Sequence, residues 1–423
     1  MAVVIPLPVP RSSRPVRGHS SGSTPYRRIV VALMAGGLAN FSLMYFVQPL
    51  LPMLAAHYGV SAAESAHALS VTTLTIIAGL LVTGPLADRV GRVRVMRWSL
   101  LASGGLGLLS AVAPDWTMLV ATRGLMGFTL AGLPAAALAY LREEVAAGSH
   151  AKANAAYIAG TAMGGAAARL LPGPLATLGG WQLAATVMAV LTLLAGALMA
   201  VLLPASVGFT PGPVGLRDAL LGTLVAPADR VVALLCLSGF AAMGAFVGVY
   251  NAMSFRLQAP PFTLGARASL VYLAYPVGIA SPLLARWAAA RLGRGRVVVG
   301  GLALLAGSVL LASLASLPAV VVGLALVGFA FLGVHSMLSG WVVDRARRRG
   351  QGTAQASSAY LGTYYLGSTL AGALATVLWQ AGGWGGVCVL ALALTLVAVL
   401  AGVAAARTDR PVRVGIEAEP AAL

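Results

Sequence analysis

The chain reads as an all-α integral membrane protein: twelve transmembrane helices arranged as two six-helix pseudo-repeats. Three observations predict this class. Of its 423 residues, 59% are hydrophobic and only 9% charged, where soluble domains carry about 25% charged residues. Apolar runs of about 20 residues recur, each long enough to cross ~30 Å of hydrocarbon as a helix. Pieces of the first half reappear in the second at a nearly constant offset. Short strands alternating with period two, the mark of an outer-membrane barrel, are missing.

Residues 1–28 are rich in Pro, Ser and Arg, with no apolar core ahead of a cleavage site. They read as a disordered basic tail and not as a signal peptide. Twelve apolar segments follow, near 29–54, 66–87, 95–113, 117–142, 151–176, 181–204, 229–255, 266–289, 297–316, 319–343, 354–379 and 384–406. In the eighth, Pro276 and Pro282 interrupt the run. Membrane helices tolerate this because neighbours re-satisfy the freed backbone groups. The segments group into a bundle at 29–204 and a bundle at 229–406, joined by a linker at 205–228 and followed by a tail at 407–423. Within the linker, "LRDALLGTLV" predicts a short helix on the membrane surface. Ser61 and Glu64 have capping-box spacing and would start the second span; Glu64 as an ion-coupling carboxylate is the alternative. Cys236 and Cys388 fall inside apolar runs and read as packing residues, with no disulfide or zinc framework.

The net charge of +17 raises the possibility of nucleic acid. Its distribution argues against that partner, because the arginines cluster in short linkers between apolar runs. An even number of spans puts both termini on one face. If that face is cytoplasmic, all of the 28 Lys and Arg fall inside except Arg256 and Arg267, which are outside, and Arg123 and Arg169, which are within the membrane. Anionic lipid and the insertion machinery select this asymmetry.

Sliding the chain by about 202 residues brings "RVGRVR" at 89–94 onto "RLGRGR" at 291–296, "YIAGTAMGG" at 157–165 onto "YLGTYYLGS" at 360–368, and "MGF" at 126–128 onto "VGF" at 327–329. Two parallel-related halves around a midplane cavity are a transporter plan.

The stretch "GPLADRVGRVR", 84–94, resembles the signature loop of the major facilitator superfamily, G-x-L-A-D-R-x-G-R-+-+. Gly84, Leu86, Ala87, Asp88, Arg89, Gly91, Arg92 and Arg94 fit; Val93 departs, and the second-half copy has Ala290 in place of the aspartate. Gly84 is expected to let the second helix approach a neighbour closely, and Gly91 to permit a turn with positive φ. The resemblance implies a gate: Asp88 would meet the partly positive N-terminus of the eleventh helix, near Gln351–Ser358, whenever the halves close on the inner side. Arg92 would pair with the end of the fourth helix, where "YLREEV" offers Glu143 and Glu144. "ATRGLMGF" resembles the family's second motif, with Arg123 and Gly127 in place and Met126 at its glutamine position. "YIAGTAMGGAAARLLPGP" resembles the glycine-rich antiporter motif at Gly160 and Gly164, which read as close helix packing.

No Asp or Glu falls mid-membrane in any of the twelve segments, so a buried carboxylate as proton carrier is not visible. His335 is the deepest side chain that titrates in the useful range, with a structural hydrogen-bonding role as the alternative. Arg123 and Arg169 are costly in hydrocarbon; each lines the cavity or snorkels to a surface. Asn40, Tyr45, Gln48, Tyr250, Asn251, Tyr364 and Tyr365 are the remaining cavity candidates, contacting substrate or joining helices. "YFVQPLLPMLAAHYGVS" and "YLGTYYLGS" are similar to the YnfM-like branch of bacterial efflux permeases.

No phosphate-cradling G-x-x-x-x-G-K-[ST] loop is present, and no zinc spacing or nucleophile elbow, so the chain is not expected to be an enzyme or to need a cofactor beyond a proton gradient. A proton crossing 100 mV releases ~2.3 kcal/mol, which holds a neutral solute at about a forty-fold gradient. The leading expectation is a monomeric proton-coupled exporter of a small amphipathic or apolar compound in the bacterial inner membrane, both termini cytoplasmic. The alternatives are import of a sugar or organic anion, which unpaired Arg123 and Arg169 would suit, and a non-transporting membrane sensor.

Overall fold

The computed structural model describes residues 18–204, 206, 209, 216–350 and 352–409. Glycine and proline punctuate long apolar helices. Named in chain order, these are α1 Thr24–Tyr58, α2 Ala62–Val90, α3 Arg92–Ala111, α4 Trp116–Glu144, α5 150–178, α6 181–202, α7 Arg230–Arg256, α8 Arg267–Leu292, α9 Arg294–Leu311, α10 Leu317–Arg348, α11 353–381 and α12 384–408. The last two follow one another without a linker over Thr353–Thr408 and reverse at Gly382–Gly383. Gly386 is there brought beside Leu378. The turn between α5 and α6 is built the same way, at Gly179–Gly180. Gly180 and Gly383 have φ of 70° and 64°, a region that only glycine enters readily. The expected eighth span forms a tight 3₁₀ run, Gly265–Ala280, and then an α-helix, Ser281–Leu292.

The expected boundary of the N-terminal tail at 28 moves. Residues 18–23 lie against 144–149: His19 N–H donates to Glu144 O at 2.8 Å, Ala146 N–H to His19 O at 3.0 Å, and Ser21 N–H to Ser149 Oγ at 2.8 Å. Ser23 caps the helix that starts at Thr24. Residues 1–17 and 410–423 of the expected tails lie outside the described residues. In the linker, Leu216–Val225 is helical; residues 205, 207, 208 and 210–215 are outside the description. Ser61 and Glu64 form a full capping box at the start of α2.

Helices pack closely where side chains vanish. A Cβ on Gly160 or Gly164 of α5 would sit 2.3 Å from the carbonyl oxygen of Met34 or Leu38 on α1. One on Gly127 of α4 would sit 2.2 Å from that of Thr72 on α2. Such approaches replace the hydrophobic drive that lipid cannot supply.

Even-numbered spanning puts Thr24 and Thr408 on one face, the terminal face, with a far face opposite. The halves meet from mid-membrane to the far face. Across the interface, Gln48 Nε2 donates to Asn251 Oδ1 at 2.7 Å, Ala63 N–H to Gln380 Oε1 at 3.3 Å, and the hydroxyls of Thr73 and Thr369 lie 2.8 Å apart. At the terminal face the linker helix lies against both α2 and α11.

Candidate functional site

The charged loop at the end of α2 is built by a helix break. Gly91 adopts φ 104°, ψ 132°, which stops α2 and starts α3. The break turns Arg92 back across the loop. Its guanidinium bonds both Asp88, at 2.7 Å, and Glu143 at the end of α4, at 2.6 Å. Glu144 is buried beside it and accepts from Ser206 Oγ. Arg89 is exposed.

Two contacts expected of this loop are not made in this conformation. Asp88 stands on Arg92 and not on the start of α11, and Gln351 of the expected contact lies outside the described residues. Gly84 makes no close approach, since nothing lies within 4 Å of where its Cβ would be. The linker helix packs beside both α2 and α11 here, with Gly222 against Gln355 of α11.

The second half repeats the scaffold. Gly293 has φ 84°, ψ 146°, and Arg294 reaches Asp344 at the end of α10 at 2.9 Å. It adds an ion cluster. Arg345 binds Asp229, the N-cap of α7, at 2.8 Å and Asp409, after α12, at 3.0 Å. Arg348 and the Trp341 indole N–H also reach Asp409. Burial pushes the Asp229 carboxyl upward, but the hydrogen bonds from Arg345 and from the Val232 and Val231 N–H groups outweigh it and hold the group below the usual carboxylate range. In Asp409, burial is likewise outweighed, by Trp341 first and then Arg348 and Arg345.

Three arginines are buried in the membrane part. Arg123 is 0% exposed and donates to the carbonyls of Ala68, Leu43 and Met44. The last two belong to the end of the first helical stretch of α1, Thr24–Tyr45, where carbonyls lose their intrahelical partners. Arg123 therefore stitches the break in α1 inside the first half; it does not face the space between halves. Arg256 does the same at the far end of α9, donating to the carbonyls of Ala312, Ser313 and Leu314.

Arg169 differs. It is 1% exposed, makes one hydrogen bond, to Gly165 O on its own helix at 2.7 Å, and leaves its buried Nε without a partner. Four rings surround it: Tyr45 at 5.1 Å from the first half, and Phe246, Tyr250 and Tyr275 at 5.6, 4.9 and 4.5 Å from the second.

Other polar candidates divide. Gln48 and Asn251 are used on each other, and Tyr250 donates to Leu324 O at 3.1 Å, so these three join helices here. Asn40 is buried with neither amide atom partnered. His335 is partly exposed; its Nδ1 lies 3.0 Å from Tyr360 Oη, and its ring packs 4.6 Å from Tyr364, which abuts Tyr365. Sequence reasoning missed Tyr275 and Phe246, and missed the Arg345 cluster. The pair of "GGW" stretches at 179–181 and 382–384 was a further repeat signal.

Long apolar helices in two related halves that meet around a buried polar centre define a multi-pass membrane transporter. The chain belongs to the Major Facilitator Superfamily, whose model matches residues 33–258 and 231–422. It is 34% identical over 391 residues to the inner membrane transport protein YnfM of Escherichia coli K12, covering 92% of this chain and 93% of that protein. It is 33% identical to the uncharacterized MFS-type transporter YybF of Bacillus subtilis 168, covering 89% and 93%. Among solved structures, a bacterial homologue of the human lysosomal transporter Spinster, crystallised inward-facing and occupied, superposes with a TM-score of 0.71 at 14% identity, covering 92% of this chain and 98% of that one. This likeness speaks to the fold.

Proposed function

We propose that this transporter exports a small amphipathic compound in exchange for protons, by alternating access, with its terminal face in the cytoplasm. The observation that carries this reading is the asymmetric interface: hydrogen bonds join the halves from the middle of the helices to the far face, while Asp88 at the terminal face is paired with Arg92 of its own half. In this reading the molecule is open to the cytoplasm. Its opposite state closes there, and Asp88 then meets the positive N-terminus of α11. His335 is the proposed proton carrier. It is a titratable group of α10 packed among the rings of Phe331, Tyr360 and Tyr364, partly exposed and bonded to a tyrosine hydroxyl.

The test uses everted membrane vesicles holding a preformed pH gradient. A transported solute dissipates the gradient in the wild type, and His335→Ala abolishes that response while the protein stays folded. A solute that moves with no proton flux, or a His335→Ala variant with unchanged proton flux, contradicts the respective part.

A further inference from the structure

We infer that Arg169 is an anion-binding site at the centre of the molecule, and that the transported solute carries a carboxylate or similar monoanion on an aromatic or apolar body. The inference deepens the transport reading above and rests on it for the word solute.

The molecule supplies its own control. Its two other deeply buried arginines, Arg123 and Arg256, each set three donors on backbone carbonyls. Their charge and their hydrogen-bonding capacity are absorbed by the fold. Arg169 has the same five N–H donors, is equally enclosed, and bonds one carbonyl. Its Nε is unpartnered, and among the described residues it makes no ion pair.

Aromatic rings attract a guanidinium through their negative faces. They do not accept the in-plane N–H bonds that a carboxylate takes two at a time. The cage thus holds the cation and leaves its hydrogen-bonding edge unsatisfied. A second unpartnered group stands in the same wall: the Tyr272 hydroxyl is buried with no partner, and its ring stacks 5.9 Å from Tyr250, itself one of the four rings around Arg169. The site selects against a second cation, since the Arg169 charge repels it, the rings already face that guanidinium, and no acid pairs with it among the described residues. They suit an apolar body that lies on the rings.

Placement adds a mechanical consequence. Arg169 and Tyr45 come from the first half; Phe246, Tyr250, Tyr272 and Tyr275 come from the second. An anion held on Arg169 and touching the second-half rings contacts both halves. Only a ligand that interacts differently with two conformations can shift their balance.

The test uses the full chain in detergent and three matched probes: 2-naphthoate, 2-naphthamide and 2-naphthylmethylamine. They share one aromatic body and differ in charge. Binding is read by titration calorimetry and by melting temperature. The expected result is naphthoate bound about tenfold more tightly than the amide, with the amine weakest. Arg169→Gln should erase the preference for acid over amide while leaving amide binding unchanged; Arg169→Lys should keep a reduced preference. If Arg169→Gln does not fold, the wild-type ratio and Arg169→Lys decide. Equal binding of amide or amine, no binding of any probe, or an acid preference that survives Arg169→Gln overturns the assignment. The transport reading fails separately. Naphthoate bound through Arg169 but never moved across a vesicle would leave the anion site standing and remove the exchange.

Discussion

The first and second halves share a skeleton and differ in where they put charge. Both break after the second helix of the half at a positive-φ glycine, Gly91 or Gly293, and both then reach an acid at the end of the fourth, Arg92 to Glu143 or Arg294 to Asp344. Both reverse before the last helix at a Gly-Gly turn. Yet the first half keeps Asp88 where the second has Ala290. The second half instead ties α7, α10 and α12 together through Asp229, Arg345 and Asp409. The lesson is that a duplicated scaffold is held by backbone geometry, and the charges are free to specialise. One half carries a carboxylate, Asp88, held by Arg92, which in the proposed cycle meets the other half. The other is clamped within itself.

The clamp offers the largest effect. Arg345→Gln strands two largely buried carboxylates and should lower stability by about 3 kcal/mol, read as a drop in melting temperature of the purified protein. The sign with pH follows from the two depressed carboxyls. Their stabilisation is complete above the unfolded value of about 3.9 and is lost as pH falls through the lower folded values. Wild type should therefore lose melting temperature on acidification below about pH 4, and Arg345→Gln should lose less. A variant that melts like wild type at neutral pH would break the contrast between a clamped half and a mobile one.

Arg123 comes next. Arg123→Leu leaves the carbonyls of Leu43 and Met44 unpaired at the break in α1. The expected loss is about 2 kcal/mol, with Arg123→Lys losing less. An unchanged melting temperature would mean that the break holds without its stitch. The smallest stability effect sharpens the shared skeleton. Gly91→Ala and Gly293→Ala meet no neighbouring atoms, so only backbone strain acts. Each should cost about 1 kcal/mol, and the two costs should match. A clear inequality would show that the loops are not equivalent.

Much of this was legible in the residues, and the reason is period and punctuation. Twelve apolar stretches of spanning length, the offset near 202 and the glycine in "RVGRVR" each report on local backbone, which the sequence encodes directly. The pairing of Arg92 with Glu143 was also within reach, because both sit at helix ends on one face. What stayed hidden depends on which helix lies against which. Nothing local distinguishes Arg123 from Arg169; both are single arginines in apolar runs. One finds the carbonyls of a broken helix, and the other finds four rings, three of them on the opposite half. Gln48 and Asn251, 203 residues apart, could not be matched before the halves were docked. Asp88 and Gly84 have contacts that depend on conformation, so a single state shows only one side of them.

The most direct test of alternating access is a pair of distance measurements in lipid. Spin labels at Arg89 and Thr353 report on the terminal face, and labels at Ala62 and Gln380 on the far face. Two populations are predicted for each pair, changing in opposite directions: conditions that shorten the first distance lengthen the second. Asp88→Asn should deplete the state with the short terminal-face distance, by an amount on the order of 1 kcal/mol. A single fixed distance on each face, unmoved by Asp88→Asn, would contradict the account.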